Sequence, residues 1–253
     1  MFLFKILESR VAILTLNKIH KKNCIGSDDF KELYRILNDT KNEDIRAMII
    51  EANGDHFTSG LDIKNLPKEL TDKQPSHAHK SLAIQSFLRE WQATFTLFEK
   101  LKFPVISCIH GYCIGLGIDL ISATDIRFTT KCAKFSVAEV NVGICADVGT
   151  LQRLPKIVGN QSLVRELCFT GRVFTGKEAH QMGLCSRLFD SKGTMMEEAH
   201  KLAQEIAAKD PIAIYGTKKY LVDSLESTTQ EGLESVLIWN STMILNNGIF
   251  SKL

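Results

Sequence analysis

Apolar and polar residues alternate along Phe2–Glu8 and again along Val11–Asn17, with Ser9 and Arg10 between, so the chain is expected to open with two strands joined by a turn. From Ser27 the period changes. Phe30, Leu33, Ile36 and Leu37 recur at helical spacing behind Asp28 and Asp29, acids that suit a helix N-terminus, and the Ser27 side chain is expected to cap the first backbone donors. Ala47–Ala52 is apolar almost throughout and predicts a buried strand. A polar, glycine-bearing loop (53–60) and a longer one through Pro67 and Pro75 then lead to a helix from about His79 to Leu101. Pro104–His110 predicts the next strand, residues 115 to 123 a helix, and Ile126–Thr129 and Lys134–Val137 two short strands. Beyond Gly149 the spacing becomes helical almost everywhere, in segments starting near Thr150, Gln161, Gly176, Met195, Ile212 and Gln230. Strands and helices alternating over the first two thirds imply an α/β fold with largely parallel sheets.

At 253 residues this is expected to be one core, residues 1–190, with a C-terminal helical region, 191–253. A composition 44% hydrophobic and 24% charged, with a net charge of +2, supports a packed core and carries no polyelectrolyte signature, so nucleic acid is a poor partner. Apolar runs such as Val105–Ile109 are strand-sized, well short of the roughly 20 residues of a membrane span, and a soluble protein is expected. Nothing in Met1–Leu7 resembles a signal or transit peptide. The seven cysteines lack C-x-x-C or zinc spacing and read as reduced core residues. His77 and His79 are expected in a polar loop without a ligand framework, so neither a metal nor a separate cofactor is implied. The terminal tripeptide Ser251-Lys252-Leu253 matches the address read by the peroxisomal import receptor, and peroxisomal localisation is expected from it.

Three carboxylates stand in apolar or glycine-rich surroundings: Asp119 within 115–121, Glu139 at the end of Phe135–Glu139, and Asp147 within 143–149. Each could be a helix cap or a salt-bridge partner. Burial, however, disfavours the charged form and raises a carboxyl pKa towards neutrality, where it can both take and give protons. Two glycine-containing turns, Ser59-Gly60-Leu61 and Gly115-Leu116-Gly117, each follow a predicted strand. If the Leu61 and Leu116 amides converge they would form an oxyanion hole; ordinary turn chemistry is the alternative.

Phe57–Asp62 (Phe-Thr-Ser-Gly-Leu-Asp) and His110–Asp119 together resemble the paired signature of the crotonase (enoyl-CoA hydratase/isomerase) superfamily, and Asn17–Asn23 is similar to its early basic loop. The likeness spans essentially the whole chain. Within the superfamily, 119–125, Glu139, 146–156 and 159–163 resemble the dienoyl-CoA isomerase branch, whereas a hydratase has Glu at both of the first two acidic positions and none at the third.

The resemblance implies a crotonase-like spiral of ββα repeats with a C-terminal trimerisation region, assembled as a homotrimer or homohexamer. It implies an acyl-CoA substrate, coenzyme A being part of that substrate, and proton transfer by Glu139 and Asp147, with Asp119 beside them. The Leu61 and Leu116 amides would hold the thioester oxygen, and Lys22 would bind the CoA nucleotide. Asp62 is expected to fix its loop rather than touch substrate. Leu116 replaces the middle glycine of a Gly-Gly-Gly run, Asn141 stands where an Asp is usual, and Ile19-His20 replaces a Pro-acid pair. Alternatives are an enoyl-CoA hydratase, a Δ3-Δ2-enoyl-CoA isomerase, or a non-catalytic RNA-binding or scaffold subunit. The three acids and the near-neutral charge argue against the last of these. An apolar tail including Leu233, Leu237 and Trp239 could form an interface.

Overall fold

A computed structural model describes residues 1–65 and 76–246; the tripeptide 251–253 lies outside this range, as do Pro67 and Pro75. β1 (Phe2–Ile6) and β2 (Val11–Leu16) pair antiparallel, with Phe2 opposite Leu16, and form the start of a six-stranded sheet. β3 (Ala47–Ala52), β4 (Val105–Ile109), β6 (Ile126–Thr130) and β9 (Arg187–Phe189) extend it in parallel, giving the order β1-β2-β3-β4-β6-β9. A second sheet is built from β5 (Tyr112–Ile114), β7 (Lys134–Ser136) and β8 (Phe174–Thr175). After β4 the chain passes repeatedly between the sheets, at β4 to β5, β5 to β6, β6 to β7 and β8 to β9. The chain winds as a spiral between two layers rather than completing one sheet at a time.

The middle strands β2, β3 and β4 are buried on both faces, which is why they read as nearly continuous apolar runs. In β2 and β3, Ala12, Leu14, Met48 and Ile50 face the main core, while Val11, Ile13, Ala47 and Ile49 face the other side. On the main-core side lie α1 (Ser27–Asp39) and α2 (His77–Lys100), with Phe30 stacked on Trp91 at 4.3 Å. The opposite face is covered by α7 (Lys192–Ala207), whose Met195, Ala199 and Ala203, four residues apart, are fully buried against Val11, Ile49, Ile106 and Phe128.

The remaining helices are α3 (Leu116–Ser122), α4 (Thr150–Ile157), α5 (Gln161–Thr170), α6 (Gly176–Gln181), α8 (Pro211–Asp223) and α9 (Thr229–Asn246). Lys218 of α8 is 4% exposed and donates to the carbonyls of Phe98 and Phe103 and to Asp125 Oδ2 at 2.7, 3.0 and 2.8 Å. Burial pulls its pKa down and Asp125 pulls it up, so the ammonium is held by the partner it would otherwise lack.

The structure departs from the sequence reading in local details. Ser27 does not cap α1: its hydroxyl is buried without a partner among the described residues, and Asp29 accepts from the Gly26 amide at 2.7 Å instead. Asp29, three residues into the helix, has the reach that Ser27 lacks. α2 starts at His77, so both histidines lie in its first turn rather than in a loop, and the Ser76 hydroxyl accepts from the His79 amide. β5, β8 and β9 are two or three residues long, below the length at which alternation is readable, and β9 interrupts the helical C-terminal third. Five cysteines are buried as expected, but Cys132 and Cys145 are exposed loop residues. Trp239 is taken up within the chain, edge-on to Tyr215 and against Gly216, while Leu233 and Leu237 remain exposed.

Candidate active site

The segment 57–60 lies beside β5, with Thr58 in an isolated parallel bridge to Cys113. Phe57 and Thr58 amides donate to His110 and Tyr112 carbonyls at 2.8 Å, and the Ile114 amide donates back to Thr58. The two glycine turns are thereby brought together. Gly60 has φ +90°, and a Cβ there would lie 2.6 Å from the Ile114 carbonyl oxygen and 3.6 Å from the Leu116 nitrogen. Only glycine fits both the backbone angle and the space. Among the described residues, neither the Leu61 nor the Leu116 amide has an acceptor, so two adjacent turns present unspent donors. Leu116 begins α3 with ordinary helical backbone, and its buried side chain does not alter the amide it presents.

The three carboxylates approach this point from three segments. Asp119, 1% exposed, lies one turn into α3 and accepts from the Thr150 amide at 2.7 Å, so it also caps α4. Glu139 opens the 3-10 turn Glu139–Val142, and its Oε1 would be 3.2 Å from a Cβ on Gly115, next to the turn that carries the Leu116 amide. Its Oε2 is buried and, among the described residues, has no hydrogen-bond partner. Asp147 is half-buried, three residues ahead of the Thr150 that bonds Asp119.

Burial is the main cause that raises all three acids. Asp119 is pushed up to about 6, with the Thr150 hydrogen bonds pulling down and Asp147 pushing up. Glu139 reaches about 7, raised further by the charges of Asp119 and Asp147, and Asp147 is raised by desolvation. The cluster can hold protons near neutral pH and release them, which a surface carboxylate cannot do.

Asp62, 5% exposed, accepts from Asn65 at 3.0 Å and Lys21 at 3.1 Å and so ties down its own loop. Lys22 is exposed in left-handed backbone, φ 50°, with its ammonium 5.5 Å from the centre of the Tyr112 ring and its carbonyl accepting from Ser59. It borders the 57–60 loop but touches none of the acids. Asn141 donates to the Gly171 carbonyl at 3.3 Å, a bond that an ionised Asp could not make. Among the described residues no cluster of His, Cys, Asp and Glu is arranged to hold a metal ion, and no helix is long and apolar enough to cross a membrane.

Behind the acids, Arg153 of α4 grips Glu99 of α2 through two bonds, 2.7 and 3.0 Å, and Gln92 of α2 donates to the Asp147 carbonyl at 2.6 Å. The sequence reading assigned nothing to these residues. Their signal is a polar stripe, Gln92, Thr96 and Glu99, at helical spacing beside the buried Trp91, Phe95 and Phe98.

The enoyl-CoA hydratase/isomerase family model matches residues 7–243. The chain belongs to that family. A mouse protein named mitochondrial Δ3,5-Δ2,4-dienoyl-CoA isomerase is 39% identical over 247 residues, covering 97% of this chain and 76% of the relative. The peroxisomal protein of that name from Arabidopsis thaliana is 38% identical, covering 96% and 88%. Among solved structures, an enoyl-CoA hydratase from Bacillus anthracis superposes with a TM-score of 0.87 over 98% of this chain and 93% of that one; at 24% identity it shows the crotonase fold alone.

Proposed function

We propose that this protein converts 3,5-dienoyl-CoA thioesters to 2,4-dienoyl-CoA thioesters by moving a proton from C2 to C6. The observation that carries the reading is the grouping of one buried and two partly buried carboxylates, all raised by desolvation, near two amides that have no acceptor among the described residues. Identity of 38–39% over nearly the whole chain to proteins named for this reaction supports it.

Loss of the C2 proton delocalises charge from the thioester oxygen to C6. Donors aimed at that oxygen stabilise the dienolate more than the substrate, and the Leu61 and Leu116 amides are assigned this part. Glu139 and Asp147 are the proton-transfer pair, one ionised to accept at C2 and the other protonated to donate at C6. Like-charge repulsion favours such a singly protonated pair. Asp119, held by Thr150, tunes the charge of the cluster. Lys22 is assigned to the CoA nucleotide, as a point charge for phosphate beside the 57–60 loop.

The assembly is a homotrimer or homohexamer, supported by the apolar side chains that α9 leaves exposed. Import into peroxisomes through Ser251-Lys252-Leu253 is supported by the tripeptide and by the Arabidopsis relative, whereas the mammalian relatives are named mitochondrial. A fluorescent fusion ending in these residues that stays cytosolic would refute the import assignment.

The deciding assay follows the ultraviolet absorbance of the conjugated product from 3,5-octadienoyl-CoA. Wild type is expected to turn over, and Asp147→Asn and Glu139→Gln to lose about 100-fold or more with unchanged circular dichroism. Absence of wild-type turnover, with hydration of a 2-enoyl-CoA instead, would replace this reading with that of a hydratase.

A further inference from the structure

The stretch from Cys145 to Gly149 carries Asp147 yet makes no ladder of its own. Among the described residues none of its five amides donates to a backbone carbonyl, and it lies between Gly143 and Gly149, both at positive φ. What holds it comes from elsewhere. Gln92 Nε2 donates to the Asp147 carbonyl at 2.6 Å, Arg153 Nη1 to the Val148 carbonyl at 3.4 Å, and Thr150 to Asp119. Arg153 is itself fixed by Glu99 and by the Thr96 hydroxyl at 3.0 Å, and Thr96 donates back to the Gln92 carbonyl at 2.7 Å. A Cβ on Gly149 would overlap the Arg153 guanidinium, so the backbone is pressed against its anchor.

We propose that Gln92, Thr96 and Glu99 of α2, with Arg153 of α4, form a clamp that positions Asp147 for proton transfer, Gln92 being the member that holds its backbone directly. These are positioning residues; none has a part in the proton transfer itself. The proposal rests on the isomerase reading above for its kinetic consequence, but the clamp is a property of the loop and can be read without turnover. A displacement of the order of 1 Å at a proton-transfer group lowers rates by up to about 100-fold, whereas the binding of a large thioester depends on many other contacts, so the effect belongs in kcat.

Gln92 is solvent-exposed, so it can be changed without opening the core. Gln92→Met keeps length and helix propensity but removes the donor; Gln92→Lys keeps a donor of similar reach. For the isomerisation of 3,5-octadienoyl-CoA, Gln92→Met is expected to lower kcat about 10-fold with KM within about twofold, and Gln92→Lys to retain most of kcat. Hydrogen exchange of a peptide spanning 148–153 supplies the readout that needs no activity. It contains the Thr150 amide bonded to Asp119 and the Gln152 and Arg153 amides that close on Gly149. Exchange there is expected to quicken in Gln92→Met and not in Gln92→Lys.

Unchanged kcat in Gln92→Met overturns the positioning role, whatever the exchange shows. A wild type that does not isomerise the diene sinks the functional reading instead; quickened exchange in Gln92→Met would then still uphold the clamp, and unchanged exchange would end both.

Discussion

Burial, and after it the charges of Asp119 and Asp147, raises Glu139 within the site. Its folded pKa, about 7, lies above the ordinary carboxyl value, so the folded state binds an extra proton between roughly pH 4.5 and 7. Stability contributed by the protonated form is therefore present below that window and lost as pH rises through it. Neutral Gln at this position avoids the loss. Glu139→Gln is expected to be more stable than wild type at pH 8 by about 1–2 kcal/mol, after discounting for solvent that reaches the side chain, and equal to it near pH 4. Urea midpoints at the two pH values would show this; a variant less stable at pH 8 would mean that the ionised Glu139 is well solvated or paired. The Asp119 charge is one cause of the raised value. Asp119→Asn, whose side-chain oxygen can still accept from Thr150, is thus expected to move the kcat/KM limb near pH 7 towards acid. An unmoved limb would assign that titration to another group.

The elements meet the site through a few long-range polar bonds rather than through their own propensities. α2 reaches the Asp147 segment through Gln92 and α4 through Glu99, and its C-terminal end accepts from Lys218 through the Phe98 carbonyl. Asp125 closes that last connection, since the same oxygen that accepts from Lys218 accepts from the Val105 amide at the start of β4. Replacing Lys218 would strand a carboxylate and two carbonyls at a buried junction. Lys218→Met, which preserves the packing of the stem, is expected to destabilise by about 2–4 kcal/mol, visible as a lowered urea midpoint. A change under about 0.5 kcal/mol would mean that water replaces the ammonium there.

At the scale of the whole molecule, α9 has no buried residue among its described side chains. Leu233, Leu237 and Ile238 are 58, 66 and 67% exposed, while Trp239 anchors the helix to Tyr215 and Tyr220. Exposed apolar side chains clustered on one helix mark an association surface. For the proposed trimer or hexamer, Leu237→Glu with Ile238→Glu is expected to lower the mass in light scattering to that of a monomer while leaving circular dichroism intact. An unchanged mass would move the interface to another face.

The order of the longer strands and helices, the buried character of β3 and β4, and the candidate acids were legible in the sequence, because each depends on residues close together along the chain. Alternation, helical spacing and charges set among apolar neighbours are local signals. So was the pair of glycine turns, although only the tertiary contact of Gly60 with Ile114 sets one turn against the other. Three things required the tertiary structure. The short strands β5, β8 and β9 are defined by their partners and not by their own few residues. The Asp119–Thr150 bond links positions 31 residues apart, and the Gln92–Asp147 bond 55 apart, and no periodicity reports on such pairs. The exposure of Cys145 and the enclosure of Trp239 likewise depend on what the fold lays against them, which short-range physics along the chain does not fix.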